Sequence, residues 1–255
     1  MSAAIEFRRV SFATGRGQPL LDEISFAVEE GTTTVVLGRS GSGKTTLLRT
    51  VNRMVEPTGG EVLLKGKSVR GADPIALRRS IGYVIQETGL FPHMTAERNV
   101  GLVLEAKGME DRERELRSQD LLSAVGLEAR TFGGRYPHQL SGGQRQRVGL
   151  ARALAADAQV LLMDEPFGAL DPLTRAEMQD LLKHLLGRMR KTVLLVTHDL
   201  DEALYLGDRI VLLSEGRLAA ELGPEEFLQS EEPELAAYVH AFHRGEVSAA
   251  EVKRA

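Results

Sequence analysis

Four short apolar runs punctuate the chain, at residues 34–37, 81–85, 160–163 and 193–196. Each is too short for a helix and lacks polar alternation, the pattern of strands buried on both faces of a parallel sheet. Between these runs apolar residues recur at helical spacing. Leu47, Leu48, Val51 and Met54 predict a helix that Pro57-Thr58-Gly59-Gly60 stops. Met178, Leu181, Leu182, Leu185, Leu186 and Met189 predict a long helix opened by Asp171-Pro172. Asp73 before Pro74 predicts a short helix through Arg79, and Asp199 a helix ending at Gly207.

Ahead of the first run, residues 5–12 and 24–28 read as strands, with a loop at 14–19 and a turn at Glu29-Glu30-Gly31. The connections are too short for a crossover helix, so an antiparallel layer is expected. Residues 61–64 predict a further short strand. Ser214-Glu215-Gly216-Arg217 sits between two apolar stretches as a hairpin signal. From 87 to 134 strand signals are missing. Thr95 caps a predicted helix carrying Val100, Leu102, Val103 and Leu104. Residues 110–117 are densely charged, the mark of a solvated helix face, and Leu121, Leu122 and Val125 close that helix before Gly126. The predicted organisation is an α/β core at 1–86 and 135–223, an inserted helical lobe at 87–134, and a helical tail at 224–255 that frays from 246.

Candidate chemistry begins where the first apolar run ends. Gly38-Arg39-Ser40-Gly41-Ser42-Gly43-Lys44-Thr45 fits G-x-x-x-x-G-K-[ST], between a predicted strand and a predicted helix. Glycines let successive N–H groups turn toward phosphate oxygens, and the helix start adds the positive end of its dipole. Lys44 is expected to neutralise the β- and γ-phosphates, and the Thr45 hydroxyl, next to Thr46, to ligate Mg²⁺. The expected fold is therefore the α/β P-loop NTPase core, a mixed and mainly parallel sheet with an N-terminal antiparallel layer. Asp164 and Glu165 follow the third run, at the strand end where such sheets bind ligands. Asp164 is expected to hold Mg²⁺ and Glu165 to orient or deprotonate the attacking water; by themselves the pair also suit strand-end solvation or a helix cap. Ser141-Gly142-Gly143-Gln144 reads as a capping box. Its two glycines in a first helical turn equally suit a second anion-binding helix start.

Composition narrows the picture. The 255 residues, 42% hydrophobic and 27% charged, suffice for a large core. A net charge of −4 gives no argument for a nucleic-acid partner, and none is expected. The chain has no cysteine, which excludes disulfides and thiolate metal sites. The N-terminus shows no secretory signal pattern, and no apolar run approaches the ~18 residues that span a bilayer. A membrane role is expected to be peripheral.

Together these motifs resemble the ATP-binding cassette ATPases over residues 5–223. The resemblance implies a head-to-tail dimer with two ATP molecules at the interface, each phosphate loop facing Ser141, Gly142, Gly143 and Gln144 of a second copy or a paralogous subunit. It implies that Gln86 touches Mg²⁺ and the attacking water, that Asp171 lies on the loop crossing the interface, and that His198 contacts the γ-phosphate. Asp171 also serves as a plain helix cap. Family members stack adenine on an aromatic residue early in the chain; here Thr14 stands at that position, with Phe12 two residues before.

Tyr136-Pro137-His138-Gln139 before the signature resembles bacterial importers. Leu90 and Phe91, in the stretch after Gln86, resemble the segment that docks a cytoplasmic helix of an integral membrane permease. Val51-Asn52-Arg53-Met54, Ile81-Gly82-Tyr83-Val84-Ile85-Gln86 and the 89–95 segment resemble ATPases for osmoprotectants and quaternary amines. The implied location is the cytoplasmic face of the inner membrane, with an extracytoplasmic solute-binding protein as indirect partner. A lipid-trafficking subunit is the alternative, and a DNA-repair cassette a more distant one. Thr14→Tyr is expected to tighten ATP binding by the ~1–3 kcal/mol of a base–aromatic stack. Phe12→Ala weakens binding only where Phe12 is the platform, and equal affinity in wild type and both variants removes stacking from the account.

Overall fold

The computed structural model describes residues 2–15, 19–86, 88–236 and 238–240. Part of the predicted 14–19 loop, the first lobe residue Glu87 and the predicted frayed end at 246–255 lie outside the described residues. Strands β1 (Ala3–Ala13), β2 (Pro19–Glu29) and β3 (Thr33–Leu37) lead to helix α1 (Lys44–Val51). Then follow β4 (Gly59–Leu64), β5 (Lys67–Ser68), α2 (Pro74–Arg79) and β6 (Ile81–Val84). Helices α3 (Ala96–Ala106), α4 (Asp111–Ala124), α5 (Ala129–Phe132) and α6 (Gly142–Ala155) come next. The chain continues through β7 (Val160–Asp164), α7 (Pro172–Met189), β8 (Thr192–Thr197) and α8 (Leu200–Leu206). It goes on to β9 (Arg209–Ser214), β10 (Arg217–Leu222) and α9 (Pro224–Gln229).

The strands form two sheets. An antiparallel layer has the order β2-β1-β4-β5. The second sheet runs β10-β9-β3-β8-β7-β6, parallel except for the β9–β10 hairpin. Alternate residues of its central strands feed opposite cores. Val35, Leu37, Leu161, Met163, Val193 and Leu195 pack with α3, α4, α6, α7 and α8. Val36, Leu162, Leu194 and Val196 pack with α1 and the antiparallel layer. Such strands need apolar side chains at every position, which is why they read as unbroken runs.

Caps placed by sequence hold where their chemistry is local. Asp73, Thr95, Ser141, Asp171 and Asp199 each accept a backbone N–H at a helix start. The predicted end of α1 is corrected. Asn52 caps it after Val51, and Arg53 turns left-handed at φ 54°. Met54 therefore leaves the helix and is 52% exposed. The Arg53 guanidinium bonds Ala72 O and Glu56, tertiary and loop contacts that stop the helix well before Pro57. The chain turns from β4 through Lys65 and Gly66 at positive φ into β5, whose two polar residues carry no apolar pattern and are placed only by their pairing with Leu63 and Leu64.

Between β6 and α6 the described residues are helices and loops. Asn99, wholly buried on α3, organises the loop before its own helix. Its Nδ2 donates to the carbonyls of Phe91, Met94 and Thr95, and its Oδ1 accepts from Phe91 N at 2.7 Å. Asn99→Leu leaves the Phe91 N–H without an acceptor. It is expected to lower stability by at least about 2 kcal/mol, measured by urea unfolding; an unchanged midpoint would show that the loop re-forms its bonds elsewhere.

Candidate functional site

Parallel register assembles the site. Leu37 lies beside Thr197, Asp164 beside Val196, and Val84 beside Met163. The C-terminal ends of β3, β8, β7 and β6 therefore share one edge, and Gly38, His198, Glu165 and Gln86 leave the sheet together there.

The glycine loop is built for close approach. Gly41 and Gly43 have φ of 83° and 99°. A Cβ on Gly43 would lie 2.7 Å from Leu21 Cδ2 and 2.8 Å from Leu20 O, so the antiparallel layer presses on the loop and only glycine fits. Helix α1 starts at Lys44 with no side-chain cap and no acidic residue in its first turn. Its first N–H groups thus keep their anion-binding capacity. The buried Lys44 Nζ donates to Gly38 O at 2.8 Å and Arg39 O at 2.9 Å. Burial pulls its pKa down, against the attraction of Glu165 and Asp164. Ser42 Oγ is buried without a hydrogen-bond partner. A cationic side chain satisfied only by carbonyls and an orphaned hydroxyl in one loop fit a phosphate ligand. Arg39, Ser40 and Gly41 form the exposed rim, and Thr46 is half-buried on α1.

Two carboxylates divide the edge. Asp164 is 2% exposed. Thr45 Oγ1 donates to its Oδ1 at 2.7 Å, and Arg49 Nη2 and Tyr83 Oη approach its Oδ2 at 3.4 Å. The Thr45 hydroxyl and Asp164 carboxylate set two hard oxygen donors side by side, the donor type Mg²⁺ takes. Glu165 sits at φ 44°, anchored through its N–H to Val196 O at 3.0 Å. Its Oε2 accepts from Gln86 Nε2 at 3.3 Å and lies 3.3 Å from His198 Nδ1. Gln86 and Glu165, expected at the attacking water, and His198, expected at the γ-phosphate, thus meet at one carboxylate oxygen.

Other predicted residues stand apart. No hydrogen bond among the described residues joins 141–144 to 38–46. Ser141 and Gln144 instead exchange hydrogen bonds as a capping box, N to Oε1 at 2.9 Å and N to Oγ at 3.2 Å. A Cβ on Gly143 would lie 2.5 Å from Thr174 Cγ2, so this helix start packs on α7 of its own chain. Asp171 caps α7, and hydrogen bonds from Thr174 hold its carboxyl below the usual range. Phe12 is half-buried over the second core, cross-strand from Leu21, the residue that meets Gly43; Thr14 is exposed.

Several neighbours carry no one-dimensional signal. Arg49 and Tyr83 reach Asp164 from α1 and β6. Gln146 on α6 donates to Pro166 O. Glu202, buried on α8, accepts from Thr197 Oγ1 at 2.6 Å beneath His198.

The ABC transporter family profile matches residues 21–168, and the chain belongs to that family. It is 47% identical over 219 residues to the osmoprotectant import ATP-binding protein OsmV of Salmonella typhimurium, covering 85% of this chain and 57% of that protein. It is 49% identical over 212 residues to the glycine betaine/carnitine transport ATP-binding protein GbuA of Listeria monocytogenes, covering 82% and 53%. The chain thus spans little more than half the length of these relatives. The fold matches the dimeric ABC cassette MJ0796 bound to ADP and Pi, with TM-score 0.78, 36% identity, and 86% and 98% coverage. It also matches cbiO1 of Clostridium perfringens, with TM-score 0.83 and 26% identity over 98% of this chain and 100% of that one.

Burial raises the Glu202 pKa, partly offset by the Thr197 hydrogen bond. A carboxyl with a raised folded-state pKa contributes stability that is present below its unfolded pKa and lost as pH rises through the folded one. Glu202→Gln keeps an acceptor for Thr197 and cannot ionise. Thermal melts are expected to show the variant losing less stability than wild type as pH rises above the ordinary glutamate range; parallel curves would mean that burial does not hold the Glu202 carboxyl protonated.

Proposed function

We propose that this chain is the ATP-hydrolysing subunit of an ABC importer for osmoprotectants or related quaternary amines. The observation that carries the proposal is the meeting of two sets of groups on one sheet edge. Lys44, Ser42 and the α1 N-terminus suit a triphosphate, and Gln86 and His198 flank a single carboxylate, Glu165.

Each group then has a role. N–H groups of residues 39–45 cradle the phosphates of the substrate ATP, and Lys44 turns from the carbonyls of Gly38 and Arg39 to the β- and γ-phosphates. Thr45, Asp164 and Gln86 would hold Mg²⁺, which when bound would supply charge neutralisation at the phosphate oxygens. Glu165 accepts the proton of the attacking water, oriented by Gln86, and His198 contacts the γ-phosphate. Ser141 and Gln144 bond each other rather than the phosphate loop of their own chain; on this reading Ser141, Gly142, Gly143 and Gln144 serve a second copy or a paralogous subunit, and Asp171 lines the same interface. A γ-phosphate shared by two subunits makes closure depend on ATP and release depend on hydrolysis.

Among the described residues no helix is long and apolar enough to cross a membrane. The proposed link to the permease is the region of Leu90 and the exposed Phe91. Arg152, which donates to the carbonyls of Thr88 and Gly89 just before Leu90, also lines a largely apolar groove of about 370 Å³ that includes Ile75, Tyr83, Leu102 and Val103. On this reading the chain works at the cytoplasmic face of the inner membrane, and substrate choice resides in the permease and an extracytoplasmic binding protein.

Phosphate release from ATP is the direct test. Glu165→Gln is expected to bind ATP as wild type does, to turn over about 10²–10⁴-fold more slowly, and to elute as an ATP-dependent dimer. An active Glu165→Gln protein would remove Glu165 as the base. A wild-type chain without phosphate release, alone or with its permease, would defeat the whole reading.

A further inference from the structure

We propose that Arg175 is a positioning residue for hydrolysis, holding the Glu165 loop and the His198 loop at a set separation. The inference rests on the reading of Glu165 and His198 as working groups of one site.

The two loops leave adjacent strands and are tied by backbone only at their roots, where Glu165 N donates to Val196 O. Beyond that point they diverge, residues 165–171 into α7 and residues 197–199 into α8. His198 is not held by burial, since its side chain is 59% exposed, and among the described residues its imidazole makes one polar contact, with Glu165 Oε2 at 3.3 Å. A pair this open drifts unless the backbone on both sides is fixed.

Arg175, one turn into α7, supplies that bracing. Its Nη1 lies 3.2 Å from Asp199 Oδ2, and its Nη2 donates to Leu170 O at 3.4 Å. One guanidinium thus grips the end of the first loop and the residue after His198. The Arg175 Nε is buried with no partner. The side chain is therefore not seated where its own hydrogen bonding is fullest; its geometry serves the two loops. Asp199 is fixed in turn: it accepts from Asp201 N at 2.9 Å and Glu202 N at 3.4 Å, and its own N–H donates to Thr197 Oγ1 at 3.1 Å. Thr197 is held by Glu202. His198 is braced on one side through Glu202 and on the other through Arg175. The Arg175–Asp199 pair is only partly exposed, 32% and 23%, so solvent does not fully screen it. A lysine could meet Asp199 but has no planar fork with which to hold Leu170 O as well.

The test is steady-state ATP hydrolysis with a kcat-against-KM split. Arg175→Met, which keeps the stem and removes the fork, is expected to lower kcat about tenfold and to leave the KM for ATP within about twofold, because the phosphate loop is untouched. Arg175→Lys falls between the two. Asp199→Asn, which keeps the α8 cap, reproduces the kcat loss and carries the test if Arg175→Met does not fold. In a His198→Ala background Arg175→Met adds no further loss, the non-additivity expected of residues acting through one geometry. An NMR spectrum of the His198 imidazole gives a readout independent of turnover, and its resonances shift on Arg175→Met. Wild-type kcat in Arg175→Met, an undiminished loss in the His198→Ala background, or an unmoved His198 resonance would each overturn the assignment. Absence of phosphate release from the wild type would instead defeat the function proposed above, and the NMR shift would still decide the role of Arg175.

Discussion

Parallel strand register is the constraint on which the rest depends. Adjacent parallel strands end at the same edge, and their loops face the same way. Once Leu37 is beside Thr197 and Asp164 beside Val196, residues far apart in sequence meet within hydrogen-bond distance. A one-residue slip of β7 against β8 would turn Asp164 to the opposite face and part it from Thr45. The apolar side chains filling both cores make such a slip costly, because every inward methyl group would change sides. The precision of the polar edge is thus inherited from the packing of an apolar sheet.

At that edge, charge is handled in two ways. Asp164 is buried, and its oxygens are matched by Thr45, Arg49 and Tyr83, so the carboxylate is held ready in one orientation. Glu165 is only partly buried, its side chain 19% exposed beside the 59% exposed His198, and it sits on a left-handed backbone. A non-glycine residue in that region costs on the order of 1 kcal/mol. The cost is borne because this bend points the carboxylate across the β7–β8 boundary toward His198 and Gln86. One acidic pair at one strand end therefore yields a rigid anchor and an adjustable group.

The antiparallel layer serves the site as well as the core. Leu20 and Leu21 press against Gly43, and Phe12 stands cross-strand from Leu21, so the layer shapes the phosphate loop from outside. Helix α6 ties the signature region to the Glu165 loop through Gln146 and Pro166, and α7 packs against the same helix start at Thr174. One hydrogen bond and one packing contact thus join the helix start at residues 141–144 to the elements on either side of the Glu165 loop within a single chain.

Local chemistry was legible in the sequence. Buried strands announce themselves as unbroken apolar runs, caps as Asp, Ser or Thr before a helical period, and the phosphate loop as glycines at fixed spacing between the two. Those features depend on neighbours a few residues away, which is why β3, β7, β8, the five side-chain caps and residues 38–45 lay where the pattern placed them. The resemblance to a known family extended this to Gln86, Glu165 and His198 meeting in space, a proximity no pattern encodes. Only the tertiary structure decided the end of α1, where Arg53 reaches Ala72, the pairing of β5, and the bracing of the site by Arg49, Tyr83, Glu202 and Arg175. Those side chains act across the gap between elements, and that gap is set by sheet register and core packing rather than by position along the chain.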